Sequence, residues 1–575
     1  MGSSRSTVDR SRRLLVNRLL GLAMLGAFGS QAWVQVFHAQ ATIDRAKETK
    51  RFVGERREVA KRGSILSADG IPLAKDEDRY LLGLSFAKIP KSPAFFVALG
   101  SATGLSASEI ANLADSESRF KEWNREVTKE QADRIREVQS DWHADGISLA
   151  RPSTRAYPLE EAAANLVGYV REQEGGVAGI ESKYENRLAG KDGQTVGLRD
   201  RNGDFLPMRM DPSSTAKRDG EDVVLTVDSD IQLAAYLACK RVAAENLAET
   251  ASAVVMDPKT GDVLAMATWP SFNPNDLTGF RGADEKRLFR NTAVTDRFEP
   301  GSTFKILTLA MALDSKAWGV NQIYTCTGSK TIGKKTFTCD RDHNGGIHGP
   351  VDPRHAIAES CNVSAAEWAL KIGYEPFLTY MKRFGLLNEP GLGLPAEESA
   401  LFSREKVATN LQLATLGFGQ SLSVSPAALA DAFAAIGNGG LRMKPRIIKR
   451  IGSQEMPIEA AGQVVSKEAA DTVIDYMQDV FDQDYGTGHK LRIPGYEMAG
   501  KTGTAQKQNR RGFGYVSNFV GFVPAKEPKA MILVMVDKPK KAFYGGLVAG
   551  PIFRDIAKAV IRRYDLRPDA QRVNP

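Results

Sequence analysis

The sequence predicts an α/β protein in the multi-domain α+β sense: an apolar N-terminal segment, an α+β module and a larger sheet-and-helix domain. Three observations carry this. The 575 residues are 42% hydrophobic and 25% charged, ordinary for a globular chain long enough for several domains. Leu19 to Phe37 is uncharged and apolar, with Ser30, Gln31 and Gln35 as its clearly polar residues. Strand patterns near 223–266 and 498–536 enclose helix-rich sequence over 300–440, which suggests one domain whose sheet joins its two ends.

In chain order, Arg5, Arg10, Arg12, Arg13 and Arg18 precede the apolar run, whose length suits a single transmembrane helix. Ala39-Gln40-Ala41 resembles a cleavage site, but the run is longer than a signal-peptide core and favours an uncleaved anchor. A short tail inside and a long domain outside are expected, placing the chain at the cell membrane with its main domain extracytoplasmic. Residues 41–58 read as a charged amphipathic helix. Arg62 to Ala74 reads as two strands about an Asp69-Gly70 turn, and 80–150 mixes short strands with helices. No catalytic cluster stands out over 42–220, which reads as an elongated module that holds something off the membrane or docks partners.

From 221 the pattern changes. Val223–Val227 is a predicted strand, Ile231–Leu247 a helix, and Ser252–Met266 a hairpin about Pro258-Lys259-Thr260-Gly261. Met498–Lys507, Asn518–Val523 and Ala530–Val536 return as strands, and Ile552–Arg563 closes as a helix. The predicted divisions are 1–41 tail and anchor, 42–220 module, 221–565 main domain and 566–575 disordered tail.

The chemistry centres on Glu299-Pro300-Gly301-Ser302-Thr303-Phe304-Lys305, which leads into the apolar helix Ile306–Leu313. Ser302 lands in the first helical turn and Lys305 follows at i+3, so hydroxyl and amine share a face. A serine becomes a nucleophile beside a base, and burial can lower a lysine pKa enough to supply one. Alone the signal is weak, since Ser-x-x-Lys arises by chance about twice in a chain this long. Downstream come Ser360-Cys361-Asn362 and Lys501-Thr502-Gly503-Thr504. That order, at separations of about 55 and 140 residues, marks serine acyl transfer. Ser360 can relay a proton, and Asn362 can hold Lys305 and a substrate amide. Lys501 adds positive charge. Thr502 and Thr504 can bind a carboxylate, while Gly503 lets a substrate backbone approach. The amides of Ser302 and Thr504 would form the oxyanion hole.

With these motifs the chain resembles a class B penicillin-binding protein, a monofunctional peptidoglycan D,D-transpeptidase. The resemblance covers nearly the whole chain. It includes Arg62-Gly63 to Ala74, Arg155-Ala156-Tyr157-Pro158 and Gly179-Ile180-Glu181 of that family's pedestal, and Gly500 to Gln506 of its catalytic domain. Tyr544 to Phe553 resembles the division and sporulation branch more than the elongation branch. The resemblance implies a D-Ala-D-Ala stem-peptide substrate, β-lactams as inhibitors, and a membrane glycan polymerase and divisome proteins as partners. Gly419-Gln420-Ser421 departs from the commoner Gly-Gln-Gly. An elongation-specific relative, a β-lactam sensor and a β-lactamase share the motifs. The sensor normally has several membrane spans, and a β-lactamase needs no pedestal.

Net charge +8 suits an anionic neighbour such as a membrane or wall polymer. No nucleic-acid recognition motif accompanies it. Gly495 to Thr502 satisfies the phosphate-loop pattern, but Gly503 to Asn509 makes a poor helix start. No cofactor is expected for the acyl transfer, and no metal among its site residues. Cys326, Cys339, Asp342, His343, His348 and Cys361 crowd one region, open to a Cys326–Cys339 disulfide or to a structural zinc held by some of Cys326, Cys339, Asp342, His348 and Cys361. Cys239 reads as core. His38, His143, His355 and His489 are given no role.

Overall fold

The computed structural model describes residues 5–37, 53–78, 80–85, 88–114, 122–150, 153–171, 174–199, 205–210, 214–278, 287–340, 346–402, 409–509 and 512–568. The chain divides into two compact units, residues 1–61 with 190–220, and residues 62–189 with 221–575.

In the first unit, Arg5–Phe37 is one helix of 33 residues that carries the whole expected span. Among the described residues, however, no helix is long and apolar enough to cross a membrane. Gly21, Gly26, Gly29, Ser30, Gln31 and Gln35 dilute its Leu, Ala and Phe side chains. The helix expected over 41–58 is corrected at its end: Val53–Glu58 is a strand, paired antiparallel with Gly193–Arg199. Val53 and Gly54 are weak helix formers, and a distant partner strand decides the outcome. Residues 41–52 lie outside the described residues. Asp192 secures the strand's exit, accepting from Ala60 N and from Arg57 Nε, both at 2.7 Å.

In the second unit, the predicted hairpin forms from Ile65–Leu66 and Pro72–Asp78, with Gly70 at φ +84° in the turn. It belongs to a six-stranded sheet with Ser153–Ala156, Val223–Leu225, Ile448–Ile451 and Gln454–Glu455. Three separated motifs converge beside it on one carboxylate. Glu181 is fully buried, 2.6 Å from Arg62 Nη2 and 2.7 Å from Arg155 Nε. Arg155 also reaches Asp76 at 3.0 Å, and Arg62 reaches Glu185 at 2.6 Å. Burying so many charges is tolerable because each has an opposite partner.

A five-stranded antiparallel sheet organises the rest, in the order Val263–Trp269, Thr250–Met256, Ala530–Asp537, Gly512–Val523, Ala499–Asn509. The first and last thirds of the unit thus share one sheet, as the strand patterns predict. Alternate residues point to opposite faces. Ala253, Val255, Ile532 and Val534 join one core with Ile231, Val242, Phe553 and Ile556, from the helices Ser229–Asn246 and Gly545–Arg563. Val254, Met256, Leu533 and Met535 join a second core with residues of Lys305–Asp314, Pro426–Gly437 and Lys467–Asp482. Both faces are covered, which explains strands apolar throughout. The closing helix starts at Gly545, ahead of the expected Ile552 and with Pro551 inside it. Gly495 to Thr502 runs into the edge strand Ala499–Asn509 rather than into a helix, so the phosphate-loop geometry is absent there. Of the expected tail, Leu566 O accepts from the Tyr496 hydroxyl at 3.1 Å, and 569–575 lie outside the described residues.

Candidate active site

The turn that carries Ser302 differs in detail from expectation. Gly301–Phe304 is a 3-10 turn, and the α-helix begins at Lys305. Gly301, at φ +58°, sets the chain into the turn and donates its amide to Gly419 O at 2.9 Å. Ser302 is half-buried and lines a cleft of ≈520 Å³. Ser360, Asn362, Thr502, Gly503 and Thr504 line the same cleft.

Lys305 and Lys501 are both fully buried. Lys305 Nζ lies 2.5 Å from Ser360 O and 3.1 Å from Ser360 Oγ. Lys501 Nζ lies 2.8 Å from the same Oγ and 3.0 Å from Thr502 O. Burial pushes Lys305 down to about 8. Burial, reinforced by the charge of Lys305, pushes Lys501 well below its ordinary value. Desolvation and mutual repulsion disfavour two cations here, so the pair titrates as one system across Ser360. Among the described residues, no hydrogen bond joins Ser302 Oγ to Lys305 Nζ; the two share a turn, and the amine is turned towards Ser360.

Ser360 sits at φ +61°, between the helices Pro353–Ala358 and Asn362–Ile372. A non-glycine residue there carries about 1–3 kcal/mol of strain, characteristic of functional turns. The bonds Ser360 N to Ile357 O at 3.2 Å and Cys361 N to Ala356 O at 2.8 Å hold it. Among the described residues no hydrogen bond joins Asn362 to Lys305: its Nδ2 donates to Thr338 O at 2.8 Å, and the residue lines the cleft.

The edge position of Ala499–Asn509 follows from the sheet order, and its register pairs Gly503 with Asn518 and Thr504 with Ser517. Among the described residues no strand pairs with its outer side, the side on which an extended ligand would add as a strand. Gly503 is required by crowding, since a Cβ there would lie 2.2 Å from Asn518 Oδ1. Thr504 Oγ1 accepts from Gly545 N at 3.1 Å and keeps its own proton to donate. Thr502 Oγ1 instead donates to Thr487 Oγ1 at 3.0 Å. Ser421 occupies φ +65°, where glycine is commoner, with its amide on Glu299 Oε1 at 2.9 Å. Thr487, Tyr485, His489, Gln420, Tyr544 and Leu547 also line the cleft. Gln420, Tyr544 and Leu547 belong to segments that enter the family resemblance, and His489 is given no role in the sequence; Tyr485 and Thr487 are passed over because they sit in a loop without local motif.

The cysteine region is resolved into a cluster. Cys326, Cys339, Cys361 and Cys239 are free; of the two alternatives the sequence leaves open, the Cys326–Cys339 disulfide is not formed, the two sulfurs standing 3.8 Å apart. Ligand atoms of Cys326, Cys339, His348 and Cys361 all lie within 4.8 Å of one another. Asp342 and His343 lie outside the described residues. Cys239 is buried in the helix Ser229–Asn246, as expected of a core residue.

Comparisons with known proteins agree with this geometry. Residues 251–558 match the penicillin binding protein transpeptidase domain family, and residues 57–225 the penicillin-binding protein dimerisation domain. The peptidoglycan D,D-transpeptidase FtsI of Escherichia coli K12 is 29% identical, covering 96% of this chain and 91% of its own. PbpB of Mycolicibacterium smegmatis is 33% identical over 74% of this chain and 67% of its own. Penicillin binding protein 3 of Mycobacterium tuberculosis, solved with ampicillin, superposes with a TM-score of 0.68 at 26% identity, covering 89% and 97%. Over more than half its length, and with Ser302 and the edge strand lining one cleft, the chain belongs to the class B penicillin-binding proteins, as a peptidoglycan D,D-transpeptidase of the penicillin-binding transpeptidase family.

Proposed function

We propose that this transpeptidase crosslinks D-Ala-D-Ala stem peptides during septal wall synthesis, through an acyl-enzyme on Ser302. The observation that carries the reading is the meeting of Lys305 and Lys501 at Ser360 Oγ, with Ser360, Ser302 and the edge strand lining one cleft. The donor peptide lies along Ala499–Asn509, its terminal carboxylate held by the Thr504 hydroxyl and drawn by the single positive charge that Lys305 and Lys501 share across Ser360. Ser302 Oγ attacks the penultimate D-Ala carbonyl while Lys305 takes its proton. The oxyanion faces the amides of Ser302 and Thr504. Ser360 passes a proton to the departing D-Ala amine. An amine from a second stem peptide then attacks the ester, and Ser302 is regenerated. A β-lactam follows the first step and stays bound. Asn362 orients the peptide amide through its side-chain carbonyl. The scheme uses the chain's own side chains and backbone amides, and a zinc at the Cys326 cluster would be structural, outside the reacting atoms.

The division role is favoured by likeness to a protein named FtsI and to stage V sporulation protein D of Bacillus subtilis, 29% identical. The exposed Leu15, Leu19, Leu22, Leu25 and Phe28 of the first helix support attachment at the cell membrane. Residues 1–41 would then anchor the chain, 42–220 serve as pedestal beside a membrane glycan polymerase and divisome proteins, and 221–565 act outside the cytoplasm.

The test incubates the full chain with a D-Ala-D-Ala pentapeptide and an acceptor amine. Release of D-Ala with formation of the crosslinked peptide, both lost in Ser302→Ala, is expected. Hydrolysis with no crosslinked product in any acceptor would overturn the transfer reading.

A further inference from the structure

The cluster beneath the second motif has a geometry of its own. Cys326 ends the strand Tyr324–Cys326, and Cys339 follows the strand Lys335–Thr338. His348 precedes the strand Gly349–Val351, and Cys361 caps the helix Asn362–Ile372. The three thiols are 0–2% exposed and the His348 side chain 1%. Sulfur–sulfur distances are 3.8 Å for Cys326–Cys339 and 3.7 Å for Cys339–Cys361, and Cys326 Sγ lies 3.4 Å from His348 Nδ1.

A disulfide needs about 2.05 Å. A tetrahedral zinc, with Zn–S near 2.3 Å and Zn–N near 2.0–2.1 Å, sets sulfur–sulfur edges of about 3.8 Å and sulfur–nitrogen edges of about 3.5 Å. The observed edges match the second case. The surroundings are those a thiolate draws: Gly328 N lies 3.4 Å from Cys326 Sγ, and Ser364 N and Oγ lie 3.4 and 3.1 Å from Cys361 Sγ. His348 Nε2 is buried without a hydrogen-bond partner among the described residues, 3.9 Å from Glu359 Oε2. Ligation through Nδ1 puts the ring proton on Nε2, facing that carboxylate, the usual outer arrangement of a metal-bound histidine.

We propose that Cys326, Cys339, His348 and Cys361 bind a structural zinc ion that fixes the Ser360 turn. Sulfur-rich tetrahedral sites select zinc, and four protein ligands leave no open position for substrate. Ser360 stands between Cys361, a ligand, and Glu359, whose carboxylate lies 3.9 Å from the ring of another. The ion thereby ties the proton-relay hydroxyl to two strands and a loop at its back. Thiolates, not thiols, bind Zn²⁺, so uptake strengthens with rising pH.

The test measures metal in the full chain purified without chelators. One zinc per chain is expected. Exchange with cobalt(II) should give tetrahedral ligand-field bands and thiolate-to-cobalt charge transfer. Cys339→Ser should lose the metal, while His348→Cys should keep it with stronger charge transfer. Stripping the ion should slow acylation by a fluorescent penicillin about tenfold, and zinc should restore it. If Cys339→Ser does not fold, the wild-type cobalt spectrum and His348→Cys decide alone. Folded wild-type protein with no stoichiometric metal, or peptide mapping that finds Cys326 joined to Cys339, overturns the proposal.

Discussion

Lys305 and Lys501, two fully buried amines from elements far apart in sequence, share one hydrogen-bond partner, the hydroxyl of Ser360. A hydroxyl has one proton and two acceptor lone pairs, so it can accept from a charged amine while donating to a neutral one. Because burial and repulsion disfavour a second charge, a single proton can be exchanged across this oxygen. That is the property a two-step acyl transfer needs from its relay.

Acylation should depend on pH through this pair. With Lys305 brought down to about 8, the neutral base is depleted as pH falls below that value. The second-order rate of penicillin acylation should therefore fall roughly tenfold per pH unit below about 8 and level off above it. Stopped-flow labelling from pH 6 to 9.5 checks this, and a flat profile contradicts the assignment of Lys305.

Ser360→Ala removes the shared oxygen but leaves both lysines. Acylation should slow by about 10²–10⁴-fold, the usual range for losing a proton-transfer group. The far-ultraviolet circular dichroism should be unchanged, which separates lost relay from lost fold.

At Glu181, Glu181→Ala leaves Arg62 and Arg155 buried with one fewer counter-charge each, although Glu185 and Asp76 remain. The expected loss is about 3 kcal/mol, at the lower end for breaking a buried ion pair. Urea titration of the purified variant measures it.

Ser421 holds a left-handed conformation at φ +65°. Ser421→Gly relieves about 1 kcal/mol of steric strain, set against loss of the 3.0 Å contact with Thr415 Oγ1. Stability equal to or up to about 1 kcal/mol above the parent is expected, with acylation intact.

Much of this was legible before the fold. The Ser302–Lys305 spacing, the apolar helix behind it and the Lys501–Thr504 strand are local patterns, and local geometry carries them into place. The joining of the sheet's ends was legible because strands buried on both faces are apolar throughout. What depended on distant partners was not. Val53–Glu58 became a strand through pairing with Gly193–Arg199. Asn362 turned to Thr338 because a strand outside its motif offers a carbonyl there. Thr487 reached Thr502 from a loop with no pattern of its own. The cysteines were visible as a group, but their 3.7–3.8 Å spacing is a tertiary fact.

The most direct measurement is a time course of labelling by a fluorescent penicillin, in wild type and Ser302→Ala. A covalent adduct that persists, maps to Ser302 and is absent from the variant is the predicted result. An adduct released within seconds would point to a β-lactamase. No adduct on folded wild-type protein, or one that survives Ser302→Ala, would contradict the account.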